Sequence, residues 1–466
     1  MYHNKSSINK IAFYCIASTV FLLASCAKFV DVGAPTTQIG VKEAYQSDAT
    51  ATSAIIGLYN NTYTNYLTTY FTGLPGCSAD DIKYSTASPS YDEFINDALN
   101  SNNSLNANYL WGDTYSQIAQ TNLAIENLNA STRLTPAVKN QLLGEAKTWR
   151  AFMYFYLVNM YGNVPLVLGT DNNINGQLPR TGADSVWSQI ITDLKDAVSL
   201  LKPDYPSAQR GRINQYTAMA LLAKSYLYTK DWKDAETTAG QIIGSGVYTL
   251  STDLNTAFTN TSNEVIWQIA TSTGISTFGS NFLAPHGSLP AYIMYDTLYH
   301  SFDPNDLRKQ DWTTSDTIGG IPYYYVYKYK DRAGTGNEYN VVFRLAEQYL
   351  IRAEARARQN EIAGAVSDIN TTRQRAGLLP LDDNISQDSA LMAVEQERKF
   401  ELFGEWGNRW FDLKRTPGIL GNPGLTRADD ILSGLKPAWK HTAVWYPIPS
   451  SQIIVNNHLT QNDGYN

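Results

Sequence analysis

Residues Val341–Leu378 read VVFRLAEQYLIRAEARARQNEIAGAVSDINTTRQRAGL. Ala346, Tyr349, Leu350, Ala353 and Ala357 recur at the spacing of one apolar stripe on an α-helix. Glu354 and Arg358 stand one turn apart and are expected on its wetter side. Asn360 is the expected N-cap of a second helix, whose stripe is Ile362, Val366 and Ile369. Gly377 ends that helix, with Pro380 just beyond. The stretch therefore predicts a helical hairpin with a very short turn, and its alanines allow close approach of two backbones.

The same pattern recurs upstream. Tyr216, Ala220, Ala223 and Leu227 line one helix, and Trp232, Ala235, Ala239 and Ile242 line the next, with Asp231 placed to cap it. Ala223 to Ala235 and Ala353 to Ala365 have equal spacing. Paired helices with small residues at fixed places and a short turn are the tetratricopeptide pattern, and such pairs bury their stripes only against neighbouring pairs. Four candidate pairs follow: about 109–161, 184–229 (overlapping the next), 213–243 and 343–377. The best single stripe is Leu142, Ala146, Trp149, Met153, Tyr156 and Met160, stopped by Gly162 and Pro165. Residues 44–66 also read as helix.

Two stretches break the period. Residues 74–107 are rich in Ser, Asn, Asp and Gly and read as long loops with short helical turns. Residues 247–340 hold Gly, Ser, Thr, Asn, Pro and aromatics, with Val265–Ile269 and Ile321–Lys330 as strand candidates. The fold class is thus mostly α, a tetratricopeptide-like helical-repeat scaffold carrying a large irregular, loop-rich insertion with short strands. Scaffold is expected over about 109–246 and 341–415, and a binding lobe over about 72–107 and 247–340. An aperiodic insertion of that length in a repeat protein points to function.

The chain has 466 residues, 43% hydrophobic and 17% charged, which is the composition of a folded globular protein. Its net charge is −7 and no basic tract stands out, which argues against a nucleic-acid partner. Lys5 and Lys10 precede the apolar run Ile11–Ala24, and Leu23-Ala24-Ser25-Cys26 closes it. Residues 1–25 read as a targeting segment, with a plain signal peptide or membrane anchor as the alternative. Small residues before a cysteine resemble the bacterial lipobox, which implies cleavage before Cys26 and lipidation of its sulfur. Residues 26–40 then form a tether, and 41–466 one domain. Without Cys15 and Cys26 only Cys77 remains, so the fold has no internal disulfide. Tyrosine is abundant, 31 residues against 15 Phe and 10 Trp. A flat apolar face with a polar tip suits sugar rings, and equally a large half-wet surface.

Four segments in order resemble the SusD/RagB family of outer-membrane nutrient-binding lipoproteins. The first is Gly144-Glu145-Ala146-Lys147 through Arg150-Ala151, with Tyr154-Phe155 and Tyr161-Gly162-Asn163-Val164-Pro165-Leu166. The second is Arg344-Leu345-Ala346-Glu347 with Tyr349 to Ala355, then Asn370 and Arg373 to Leu378. The third is Glu397-Arg398 with Glu401-Leu402 and Arg409 to Arg415. The last is Tyr446-Pro447-Ile448-Pro449 with Leu459 to Asn462 and Gly464-Tyr465. Asn457 and Asp463 stand where the family usually has proline, a local loop change. After Cys26 there is only Lys28 and Asp31, without the acidic cluster that often accompanies surface export. The resemblance implies four tetratricopeptide-like units under a loop-built binding face, and a SusC-type TonB-dependent transporter as partner. It also implies a lipid anchor in the outer membrane with the protein facing the cell exterior. Ligands across the family are mostly glycans, with peptides for some members, and binding involves no bond-breaking chemistry. The reading is therefore a non-enzymatic protein that captures an oligosaccharide. A peptide-binding member and a repeat adaptor for protein tails are the alternatives.

The residue types agree with a binder. His3, His286, His300, His441 and His458 have no metal spacing, and no HExxH or G-x-S-x-G is present. Glu397, Glu401 and Glu405 lie on one helix face, but Arg398, Arg409, Lys414 and Arg415 are near in sequence, so the group reads as an ion-pair network. The Asp80-Asp81 pair has three readings: a helix cap, a sugar-hydroxyl acceptor, or part of a structural calcium site, which wants about six to eight oxygens. No other cofactor or metal is expected. Trp111, Trp149, Trp232 and Trp410 lie on helical stripes and are expected in the core. The candidate ligand contacts are Asp81 and the loop aromatics Tyr84, Tyr91, Phe282, Tyr292 and Trp312, the corresponding loops being where the family carries its sugar-stacking rings.

Overall fold

A computed structural model describes residues 40–64, 67–270, 276–333, 336–419 and 424–465. The expected signal segment, the Cys26 lipidation site and nearly all of the tether lie outside the described residues. In chain order the main elements begin with α1 (Asp48–Thr64), α2 (Leu67–Ser78), β1 (Ile82–Tyr84) and α3 (Pro89–Ile95). The scaffold follows as α4 (Asp113–Ala130), α5 (Pro136–Tyr161), α6 (Ala183–Leu200), α7 (Gln215–Tyr228) and α8 (Trp232–Gly244). The insertion holds β2 (Val265–Ile269), α9 (Thr277–Phe282), β3 (Tyr292–Met294), α10 (Asp296–Ser301) and α11 (Leu307–Trp312). It ends with the hairpin β4 (Thr313–Ile318) and β5 (Ile321–Val326), then β6 (Asn340–Arg344). Helices α12 (Leu345–Arg358), α13 (Ile362–Arg375), α14 (Gln387–Glu401), α15 (Asn408–Arg415) and α16 (Arg427–Leu435) complete the scaffold.

The helices stack in the order the repeats require. Helix α4 packs on α5, α5 on α6, α6 on α7 and α7 on α8. Helix α8 then packs on α12, so the stack continues across the whole insertion as though it were absent. Ala220, Ala223, Ala235 and Ala239 in one hairpin, and Ala353, Ala357 and Ala365 in the other, are fully buried. The two turns share a backbone device: Lys230 (φ 64°) and Asn360 (φ 63°) are both left-handed. Asn360 therefore terminates α12, and Glu361 stands at the N-cap, as Asp231 does in the earlier hairpin. The expectation of Asn360 as cap is off by one residue, because asparagine also tolerates the left-handed region.

Glu354 does not lie on a wet face. It is buried, and both of its oxygens accept 2.7 Å hydrogen bonds from the Arg415 guanidinium. Arg352 and Arg356, the rest of that polar face, pair with Asp368 and Glu236 of neighbouring helices. Trp111, Trp149 and Trp410 are core residues. Trp232 is half-buried, with the Arg358 guanidinium 5.6 Å above its ring.

The insertion is held to the scaffold by rings and charges. Strands β2 and β6 pair antiparallel, Trp267 opposite Phe343. Phe152 of α5 meets both edge-on at 5.5 and 6.1 Å, and Trp406 at 5.7 Å. Below lies a buried ionic network. Arg344 donates to Glu264 (3.0 Å), Glu401 (2.5 Å) and Glu405 (2.9 Å), and Arg308 to Glu397 (2.6 Å) and Glu401 (3.1 Å). Arg375 and Lys328 close it through Glu264 and Glu405. Burial pulls the Glu401 carboxyl upward, but Arg375, Arg344 and Arg308 overcome this and hold it well below the usual range. The partners are thus arginines distant in sequence. Arg398 instead pairs with Asp412, and Arg409 with Asp80.

Residues 74–107 contain more regular structure than their composition predicts: the end of α2, then β1 and α3, with a wide helical turn starting at Asn106. Helix α2 runs through Pro75 and two glycines. Gly73 is required there, since a Cβ would lie 2.2 Å from the Tyr292 hydroxyl oxygen. Gly407, left-handed at φ 69°, is where the chain meets Pro75.

Candidate functional site

Strand β1 comes from the first irregular stretch and β3 from the second. They pair antiparallel, with Tyr84 opposite Tyr292. That short ribbon joins the two stretches, with Tyr84 and Tyr292 208 positions apart in the sequence (292 − 84), and makes one aromatic cluster. Tyr84 stacks on Tyr91 of α3 with ring centres 3.7 Å apart and planes 5° from parallel. Tyr292 meets the pair edge-on at 5.5 and 6.2 Å. Tyr70 of α2 stacks on Tyr109 at 4.0 Å.

Tyr70, Tyr84, Tyr91 and Tyr292 line a cavity of about 240 Å³ with Thr69, Thr277, Ser280, Asn281 and Ala291. Helix α9 supplies the polar wall. Asn281 Nδ2 donates to the Thr69 hydroxyl (2.9 Å) and to the Thr277 carbonyl (2.7 Å). Thr277 and Thr68 share a hydroxyl hydrogen bond of 2.9 Å. The phenols of Tyr70, Tyr91 and Tyr292 are all pushed upward, first by burial. They stay neutral at any physiological pH. The cavity therefore offers flat rings, hydroxyls and an amide, a set suited to apolar faces and hydrogen bonds.

Three of the expected contacts lie elsewhere. Trp312 has no exposed surface: its indole N–H donates to the Leu254 carbonyl (2.9 Å), and Lys328 stands 4.8 Å from its ring centre. Phe282 is buried between Phe278 and Tyr292. Asp81 is buried and accepts from the Gly404 backbone N–H at 3.1 Å. Burial pushes its carboxyl up to about 7. Its neighbour Asp80 is held in two hydrogen bonds from Arg409, at 2.7 and 3.1 Å, which leaves no free carboxylate pair for calcium or a sugar. Tyr84 and Tyr91 are half-buried at the cavity, and Tyr292, 2% exposed, closes its inner side. Tyr70, Thr69 and Asn281 were not among the expected residues. Tyr70 sits in a helix interrupted by proline and glycine, and Asn281 has no signal beyond its place in an aromatic loop.

A larger groove, about 420 Å³, lies between α12, α14 and the segment after α15. Several of its wall charges pair with one another: Arg415 with Glu354 and Asp412, Arg398 with Asp412, and Arg427 with Glu395.

Comparison with known proteins matches the chain to two family models. "SusD family" covers residues 205–465, and "Starch-binding associating with outer membrane" covers 28–227. SusD-like protein P25 of Formosa agariphila is 24% identical over 96% of this chain and 97% of its own length. The starch-binding protein SusD of Bacteroides thetaiotaomicron is 34% identical over a shorter stretch, 27% of this chain and 21% of its own. Among solved structures, a laminarin-binding SusD-like protein superposes with a TM-score of 0.76 at 22% identity, covering 90% of this chain and 100% of that one. Surface glycan-binding protein A from Bacteroides uniformis gives 0.75 at 23%, covering 89% and 99%.

Proposed function

The chain belongs to the SusD family, and from that premise we propose that it captures a glycan in the tyrosine cavity and passes it to a TonB-dependent outer-membrane transporter. The observation that carries this is the stacked Tyr84–Tyr91 pair beside the hydroxyl-lined wall of α9, joined by the β1–β3 ribbon. Rings bury the C–H faces of a sugar at about 25 cal/mol per Å². Asn281, Thr69 and the phenols orient its hydroxyls. The cavity is smaller than the usual ligand pocket of about 300–1,000 Å³, so it takes one unit or one end of a longer chain. Binding proceeds without bond cleavage. Lipidation at Cys26 anchors the protein in the outer membrane, facing outward, with the transporter beneath it.

Names of relatives support the ligand class. The solved laminarin-binding and surface glycan-binding proteins share this fold, and the SusD of Bacteroides thetaiotaomicron is a starch-binding protein. Isothermal calorimetry with neutral glycans tests the reading: binding in the wild type that is lost in Tyr84→Ala/Tyr91→Ala supports it. Binding of peptides instead, or release of reducing sugar, overturns it.

A further inference from the structure

The β1–β3 ribbon has two faces. Tyr84 and Tyr292 share one, and by strand alternation Lys83 and Ile293 share the other. The Tyr295 N–H continues the ladder by donating to the Asp81 carbonyl at 3.2 Å, so Tyr295 falls on the face of Lys83. Lys83 Nζ stands 5.4 Å from the Tyr295 ring centre. One helical turn on, Tyr299 of α10 repeats the arrangement, with Lys309 Nζ at 4.7 Å from its ring centre. Tyr324 of β5 stacks on Tyr299 at 3.8 Å and 13°, and the exposed His300 meets both rings edge-on.

Among the described residues neither the Lys83 nor the Lys309 ammonium has a carboxylate within salt-bridge distance or a hydrogen-bond acceptor, and each stands over a tyrosine ring instead. Asp296 and Asp303, at the ends of the same short helix, form no ion pair with them. Two unpaired ammonium groups beside a stacked, half-buried tyrosine pair form a surface that accepts an apolar ring face and an anion together.

We propose that this face of the ribbon is a second glycan station, built from Lys83, Tyr295, Tyr299, His300, Lys309 and Tyr324, and that it takes an anionic sugar unit. The shared ligand chemistry is a sugar ring carrying a carboxylate or a sulfate. The inference rests on the glycan reading above and extends it, since the tyrosine cavity of about 240 Å³ takes only one unit or one end of a longer chain.

The test uses the whole mature chain with three probes: laminarin (neutral), alginate (carboxylate) and carrageenan (sulfate). Affinity electrophoresis is run on the wild type, Lys83→Gln/Lys309→Gln, Tyr324→Ala and Tyr84→Ala/Tyr91→Ala, each checked by a thermal melt. The expected result is that Lys83→Gln/Lys309→Gln weakens binding of alginate or carrageenan by about tenfold, with laminarin binding and the melt unchanged. The double arginine variant is expected to retain the wild-type affinity. Wild-type affinity for the anionic probe falls between about 0.05 and 0.5 M salt. Which probe responds separates carboxylate from sulfate recognition. Unchanged anionic affinity in the lysine variant overturns the second station. So does wild-type binding of laminarin alone, lost in Tyr84→Ala/Tyr91→Ala, a result that leaves the glycan reading standing. Absence of binding to all three probes overturns both.

Discussion

Tyr84 and Tyr91 touch along their full ring faces, and each still presents surface to the cavity. Replacing either with alanine removes a platform and also the Tyr84–Tyr91 stack, worth about 0.5–1.5 kcal/mol to the fold. Glycan affinity is expected to fall by about tenfold, with a small drop in melting temperature, as read by calorimetry alongside a melt. Trp312→Ala has the opposite signature. Its indole is enclosed, so the variant should lose about 3–5 kcal/mol of stability in a denaturant titration while the folded fraction binds glycan as before. Asp81 makes a pH prediction. Its folded carboxyl sits near 7, above its unfolded value, so the native state holds the extra proton and its contribution is fully present below about pH 4. That contribution is lost as pH rises toward 7. Asp81→Asn keeps the neutral form at every pH, so its stability between about pH 4 and 7 should decline less steeply than that of the wild type. Equal slopes in urea titrations would contradict the assignment.

At the scale of elements, α14 anchors the insertion through Glu401, which faces three guanidinium groups in a fully buried site. Glu401→Gln strands that positive charge and is expected to cost about 3–5 kcal/mol in chemical denaturation. Gly73→Ala tests the packing of α2 on β3: the added methyl must move the Tyr292 ring, so glycan affinity should drop together with about 1–3 kcal/mol of stability. Helical hairpins were readable from sequence because their small residues are periodic. Equal Ala223–Ala235 and Ala353–Ala365 spacings marked two copies of one unit, and even the left-handed link, Lys230 and Asn360, recurs. The ion-pair reading of Glu397, Glu401 and Glu405 stands, but with partners supplied from β6, α11 and α13, which local spacing does not encode. Irregular stretches carry no such period. Pro75 and two glycines concealed α2, and Tyr84 and Tyr292 meet through a three-residue pairing with no sequence signature. Loop aromatics such as Trp312 and Phe282 have the same local composition as Tyr84. What separates them is burial under the ionic network and α9, a tertiary property.

Over the whole molecule, a continuous helical stack supports an insertion whose two-stranded ribbons bring distant segments to one place. Ribbon β2–β6 ties the insertion to the core, while β1–β3 assembles the tyrosine cavity. Regular repeats form the continuous stack, and the least periodic residues form the tyrosine cavity. Because burial raises the phenols of Tyr70, Tyr91 and Tyr292, affinity for a neutral glycan should be flat between about pH 5 and 8, with a titrating profile counting against tyrosine-based capture. The central claim is most directly tested by calorimetry of the mature chain against matched panels of glycans and peptides, with Tyr84→Ala/Tyr91→Ala as control. Saturable heat with at least one glycan, abolished in the double variant and absent with every peptide, is the predicted result; peptide binding, or glycan binding indifferent to both tyrosines, would contradict it.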